Sequence, residues 1–249
     1  MKKTYLFAKR NAKEILRDPL NLCFGLGFPL ILLTLLSIIN SNIPAEAGND
    51  MFEIKNLSAG MAMFGTVFMS LFAGMLLAKD KTSSFLMRLY TSPLRPANFI
   101  LGYSMPLILI AFGQAAITLL TSLIFGLQFT AYILLAVLMS ALISLLFIGL
   151  GLLFGSIMSD KAVGGICGAL LTNLAGWFSG IFIPLDLMGG GFKTFCQILP
   201  FYHAVETIKA AHSGNLPDML SHFGIVFAYA AVIYVIAVLT FRRIMRGNK

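Results

Sequence analysis

Six stretches of the chain, at about residues 20–39, 57–78, 101–125, 132–158, 162–183 and 223–241, contain no Asp, Glu, Lys or Arg. Each is near or above the ~20 residues that a helix needs to cross a ~30 Å hydrocarbon core. In lipid the backbone N–H and C=O groups can be satisfied only by a helix or a closed barrel. A barrel strand alternates apolar and polar residues over ~10 positions, whereas these runs are continuous, so they predict six transmembrane helices. Of the 249 residues, 58% are hydrophobic and only 11% charged, against ~25% charged in a soluble domain. An all-α membrane protein with a single transmembrane domain over residues 1–249 is expected, with few residues left for a soluble one.

Loops rich in Lys and Arg stay in the cytoplasm. With both termini inside, the inner segments (1–19, 79–100, 159–161, 242–249) hold 15 of the 18 cations and 4 of the 10 acids. The outer ones (40–56, 126–131, 184–222) hold the other 3 cations and 6 acids. A multi-pass protein of the cytoplasmic membrane follows, with N and C termini in the cytoplasm. The net charge of +8 serves topology and contact with anionic lipid headgroups, and gives no separate argument for nucleic acid. The opening MKK and the small residues Ala45–Ala47 resemble a secretory signal. The first apolar run nevertheless exceeds the ~7–15 residues of such a signal, so it is expected to stay as a span. The three cysteines, Cys23, Cys167 and Cys196, are widely spaced in or beside apolar segments and read as small buried hydrophobes.

Residues 3–18, KTYLFAKRNAKEILRD, place Tyr5, Ala8, Ala12, Ile15 and Leu16 on one side and Lys9, Arg10, Lys13 and Arg17 on the other. That pattern predicts an amphipathic helix along the inner membrane surface, turned into the first span by Pro19. In the second span Met61, Phe64, Phe68, Phe72 and Met75 recur at helical spacing, a face that either lines a cavity for apolar cargo or packs against neighbours. GLLFG (Gly151–Gly155) and GWFSG (Gly176–Gly180) let helix backbones approach closely. No Asp, Glu, Lys, Arg or His lies inside the six runs; the neutral polar residues of the third, fourth and fifth include Gln114, Thr118, Thr121, Ser122, Ser140, Ser144, Thr172 and Asn173. A proton- or sodium-driven carrier uses intramembrane charge, so this argues against one. Asn173, one turn from Trp177, faces either a substrate path or a partner helix.

The connection from 184 to 222 mixes apolar runs with Pro184, Pro200, Pro217 and the triplet Gly189–Gly191. Its prolines divide it into two short helices, about 192–199 and 201–212, expected to be re-entrant in the outer leaflet. His203 and Glu206 stand at i, i+3, but with no third ligand or second carboxylate they read as an interfacial pair. GGGFKT (Gly189–Thr194) lacks the Gly-Lys pair of a phosphate-binding loop, so the chain is expected to be neither an ATPase nor a cofactor-binding enzyme.

Two stretches carry a family resemblance. FLMRLYTSPLRPANFILG (Phe85–Gly102) resembles the cytoplasmic helix and Ser/Thr-Pro-Leu turn that precede the third span in type-2 ABC exporter permeases, the bacterial drug, lipid and polysaccharide exporters. FSGIFIPLDLM…ILPFYHAVETIKAA (Phe178–Ala211) is similar to the same family's Ile-Pro end of span five with its downstream Leu-Pro and Glu. Where family members commonly carry an ERE-x-GT run, this chain has KDKTSS, with Asp80 as the one acid.

The resemblance implies a permease that pairs with a second copy, as homodimer or heterodimer. Each copy docks a cytoplasmic ABC ATPase, and ATP and Mg are bound by that partner. A coupling helix at about 82–91 would transmit ATPase closure to spans two and three. Phe85, Leu86, Leu89 and Tyr90 supply its apolar face, Arg88 and Arg95 its charge, and Pro93 its stop, with Pro96 redirecting the chain. On the residues alone this segment is equally an ordinary positive-inside loop. The expected function is outward export of an amphipathic or lipid-like substrate, with Phe64, Phe68, Asn173, Trp177 and Phe178 as substrate-path candidates. The alternatives are an ion-coupled or passive carrier, and a membrane-embedded lipid-modifying enzyme using His203, Glu206 and Asp186.

Overall fold

The computed structural model describes residues 2–42, 53–83, 96–183, 185 and 189–247, and every regular element among them is a helix. In chain order these are α1 (Lys2–Leu16), α2 (Pro19–Leu22), a π-helical turn (Cys23–Gly27), α3 (Phe28–Ser41), α4 (Ile54–Thr82), α5 (Pro96–Ile124) and α6 (Tyr132–Ile157). There follow α7 (Asp160–Val163), a second π-helical segment (Gly164–Leu170), α8 (Leu171–Phe178), α9 (Gly190–Ile198), α10 (Pro200–Ser213) and α11 (Leu216–Gly247). The two short helices expected in the 184–222 connection are α9 and α10.

Among the described residues, five helices are long and apolar enough to cross a membrane: Cys23–Ser41, Ile54–Thr82, Pro96–Ile124, Tyr132–Ile157 and Leu216–Ile244. The run at 162–183, expected as the fifth of six spans, is not among them. Its helical part runs from Asp160 to Phe178, interrupted by the π-helical segment over GGICGAL. Gly180 then adopts φ +81°, a left-handed conformation that glycine tolerates and that ends the helix. Beyond it the chain folds back, so that Phe182 packs edge-on against Phe64 at 5.7 Å. A Cβ on Gly176 would stand 2.6 Å from the Phe182 ring. GWFSG therefore accommodates a turn of its own chain, where a helix–helix approach was expected.

Helix α4 is the centre of the bundle and packs against α3, α5, α6 and α10. Of the expected stripe, Met61, Phe64, Phe68 and Phe72 are buried. The expectation for GLLFG holds: a Cβ on Gly151 would lie 2.1 Å from the Ser70 carbonyl oxygen, and one on Gly155 2.4 Å from that of Gly74. Only glycine lets the α4 and α6 backbones touch here. Most buried hydroxyls bond their own helix, as Ser140 to the Ala136 carbonyl, Ser144 to Ala141 and Ser122 to Thr118.

Helix α1 lies against the starts of α5 and the end of α4, with its face rotated from the expected one. Phe7, Ala8, Asn11 and Ile15 are buried, while Tyr5, Leu6 and Leu16 are exposed. The sequence pattern missed this because a polar residue, Asn11, sits at the centre of the packed face. Cys23 is exposed rather than buried; Cys167 and Cys196 are buried as expected.

Gly151→Ala is expected to destabilise the protein by about 1–3 kcal/mol through overpacking. Gly113→Ala, where an added Cβ meets nothing within 4 Å, is the control and is expected to leave the temperature of thermal unfolding in detergent unchanged or raise it slightly, since Ala inside a helix is favoured over Gly by about 0.5–1 kcal/mol.

Candidate functional site

The last turn of α4 reads Lys79-Asp80-Lys81-Thr82, and each of its three charges reaches a different element. The turn is closed locally: the Thr82 hydroxyl donates to the Lys79 carbonyl at 2.9 Å and that of Ser83 to the Asp80 carbonyl at 2.8 Å. Asp80 is buried and accepts a bidentate pair from Arg10 of α1, one bond being Nη2 to Oδ1 at 2.7 Å. It also accepts from the Tyr103 hydroxyl of α5 at 2.8 Å. Bidentate guanidinium–carboxylate pairs fix orientation as well as distance. Burial alone would lower the pKa of Arg10, but hydrogen bonding to Asp80 and its charge outweigh it, and the pKa is raised.

The flanking lysines extend the junction. Lys81 Nζ donates to the carbonyls of Ser156 and Met158, at 3.1 and 2.7 Å, where α6 ends. These are carbonyls with no helical donor, and a cation suits them. Lys79 pairs with Asp18, in the turn after α1, at 3.4 Å in an exposed setting, a contact of small energetic weight. An apolar cluster that includes Phe7, Ile15, Phe72, Leu76, Phe99, Tyr103, Leu152 and Phe241 surrounds the junction. Four helices, α1, α4, α5 and α6, are thus tied at one point. Neither a basic loop nor a resemblance could pair Asp80 with Arg10, 70 positions away; the available signal was one acid set among cations.

The expected coupling residues Phe85, Leu86, Arg88, Leu89, Tyr90, Pro93 and Arg95 lie outside the described residues. Both ends of their segment are placed: Ser83 follows the junction, and Pro96 opens α5 only a few residues before Gly102 and Tyr103.

The substrate-path candidates stand in three local settings. Phe64 and Phe68 are buried and packed edge-on to each other at 5.8 Å, with Phe28 against both. Asn173 and Trp177 are exposed on one face of α8, and Asn173 donates to the Ala169 carbonyl of its own chain at 2.8 Å. Phe178 is half-buried against Phe192 and Phe195 of α9.

At the opposite end of the bundle, α10 packs on α4, α6 and α11. His203 and Glu206 are not paired with each other. Glu206 binds Lys209 at 2.9 Å, whereas His203 Nδ1 meets His222 Nδ1 of α11 at 2.8 Å and His203 Nε2 meets the Gln197 carbonyl at 2.7 Å. A carbonyl only accepts, so His203 carries its proton on Nε2, and in the neutral pair His222 donates to its Nδ1. With both rings charged, two N–H groups would point at each other. Asp186, the third group considered for an enzyme, lies outside the described residues.

His203 lies outside the membrane-spanning helices, and burial, with His222 adding to it, lowers its pKa from 6.5 despite the Gln197 carbonyl and Glu206. A histidine with a depressed folded value contributes stability that is complete above its unfolded value and lost as pH falls through the folded one. The contact between α10 and α11 is therefore expected to loosen as the pH drops below 6.5. Protection factors over residues 200–222, corrected for the intrinsic pH dependence of amide exchange, check this: they should fall on acidification in the wild type and fall less in His203→Gln, where His212, whose pKa burial also lowers, is left to titrate.

The family model described as ABC-2 type transporter matches residues 2–211, from α1 into α10. Comparison with curated proteins gives no match. The matched region contains the whole four-helix junction and the segment between α4 and α5. The domain it describes is a transmembrane component and not an ATPase, and its family associates with ABC ATPase subunits. The chain belongs to the ABC-2 type transporter family and is a multi-pass membrane permease subunit of an ABC transporter.

Proposed function

We propose that this permease exports an amphipathic or lipid-like substrate, pairs with a second permease copy, and is driven by cytoplasmic ATPases that bind ATP and Mg on separate chains. In this reading the helical run from Asp160 to Phe178 completes six spans. The end of the bundle that carries α1 faces the cytoplasm, in accord with its excess of Lys and Arg, and α9 and α10 are re-entrant from the outer side. The segment at about 82–91 is the coupling helix, with Phe85, Leu86, Leu89 and Tyr90 seated in the ATPase and Arg88 and Arg95 at its rim.

The observation that carries this is the engagement of Lys79, Asp80 and Lys81 with three different partners. The coupling segment begins directly after a junction of α1, α4, α5 and α6, and ends at the start of α5. A push on it is delivered to four helices together. Contiguous hydrogen-bonded and packed elements of this kind transmit displacement. Asn173 and Trp177, exposed on α8, supply a surface for a substrate path against the second copy, with Phe64 and Phe68 packed behind it. The uncharged membrane runs favour ATP as the energy source over an ion gradient.

Phe85→Asp and Arg88→Glu are expected to leave the permease folded while reducing ATPase binding and ATP-driven transport by at least about tenfold, the loss produced by a few kcal/mol at an interface hot spot. Reconstituted vesicles containing the permease and its ATPase read both quantities. Unchanged binding and transport would overturn the coupling assignment, as would transport sustained by a proton gradient without nucleotide.

A further inference from the structure

Helix α5 contains Pro106 in its interior. Proline has no N–H, so the carbonyl four residues back, that of Gly102, loses its helical donor. Inside a membrane protein such a freed carbonyl must find another partner, commonly from a neighbouring helix. Here the partner is Asn11: its Nδ2 donates to the Gly102 carbonyl at 3.1 Å in a fully buried setting, and Asn11 itself is 0% exposed.

The same glycine seats the helix that brings Asn11. A Cβ on Gly102 would lie 2.4 Å from Phe7 Cδ1, so any side chain there would push α1 away. Phe7 is held over the gap by edge-on contacts with Phe99 at 5.7 Å and Tyr103 at 4.9 Å. The other side of the Asn11 amide is also used, since its Oδ1 accepts from Arg10 Nη1 at 3.1 Å. A continuous path therefore runs from the Gly102 carbonyl through Asn11 and Arg10 to Asp80 and back to Tyr103. A buried asparagine in the middle of an otherwise apolar face is costly unless its amide is bonded, and Pro106 is what creates the acceptor.

We propose that Asn11 is a positioning residue for energy coupling: its amide replaces the backbone donor that Pro106 removes from Gly102, and so fixes α1 to the start of α5 beside the ATPase-facing segment. The functional half of this rests on the reading of that segment as the ATPase contact. Asn11 touches no substrate. It makes α1 and the first turns of α5 move as one body when the segment between α4 and α5 is displaced.

The test is a double-mutant cycle in the full-length permease with Asn11→Leu, Pro106→Ala and both together. Hydrogen exchange across α1 needs no ATPase, and transport per ATP hydrolysed is then measured in vesicles with the ATPase present. Asn11→Leu alone is expected to raise exchange in α1 by about tenfold, as an orphaned buried carbonyl implies, and to lower transport per ATP. In the Pro106→Ala background residue 106 again donates to Gly102, so adding Asn11→Leu should change exchange by less than about threefold and leave transport per ATP at the level of Pro106→Ala. Equal effects of Asn11→Leu in both backgrounds would overturn the pairing of Asn11 with Pro106. A cycle that appears in exchange, with transport per ATP unchanged in all variants, would overturn the positioning role. If Asn11→Leu fails to fold, its rescue by Pro106→Ala supports the pairing and failure of rescue contradicts it. ATPase binding remains unaltered in these variants under the proposal, whereas an error in the coupling assignment shows itself in Arg88→Glu, which lies outside the cycle.

Discussion

The buried carboxylate of Asp80 is the constraint on which the organisation of this permease turns. A charge taken out of water is tolerated only with an opposite charge and further hydrogen bonds in place. Arg10 and Tyr103 provide them, and to do so they must bring α1 and α5 to the end of α4. Once those helices are there, Phe7 fits the space above Gly102, Asn11 reaches its carbonyl, and Lys81 arrives at the end of α6. Deeper in the bundle the α4–α6 contact is set by different means, with Gly151 and Gly155 allowing backbone to meet backbone. The polar junction orients the helices at one end, and the glycine contact sets how closely two of them pack.

Much of the helical framework was legible because its signals are local. Continuous apolar runs, Pro19, Pro96 and Pro200 at helix starts, and the Gly-x-x-x-Gly pattern of GLLFG all act within a few residues, and the helices follow them. Where the reading diverged, a long-range contact or a local irregularity decided. The π-helical segment over GGICGAL, with its adjacent Gly164 and Gly165, and the left-handed Gly180 divide and shorten the run expected as span five. The face of α1 was misread because hydrophobic periodicity cannot foresee a buried asparagine whose acceptor lies 91 positions away.

The same contrast holds for the site. KDKTSS was a departure from its family's pattern without visible partners, and the fold gives all three of its charges a place. Pro106 was the unread signal: a proline inside an apolar run identifies the residue four positions earlier as an acceptor in need of a donor. Following that rule from Pro106 leads to Gly102, and from there to Asn11. His203 and Glu206 illustrate the opposite case, where proximity in sequence suggested a pair and the fold assigned each to another residue.

For the junction to couple ATPase closure to the membrane helices, α1, the end of α4, the start of α5 and the end of α6 must behave as one body when the ATPases close. Spin labels at exposed positions 13 on α1 and 157 on α6, in the reconstituted complex with its ATPase, measure this by pulsed electron–electron distances. The 13–157 distance within one protomer is expected to be the same in the nucleotide-free and ATP-bound states. A shift of that distance on ATP binding would mean that α1 moves independently of the junction, and would contradict this coupling.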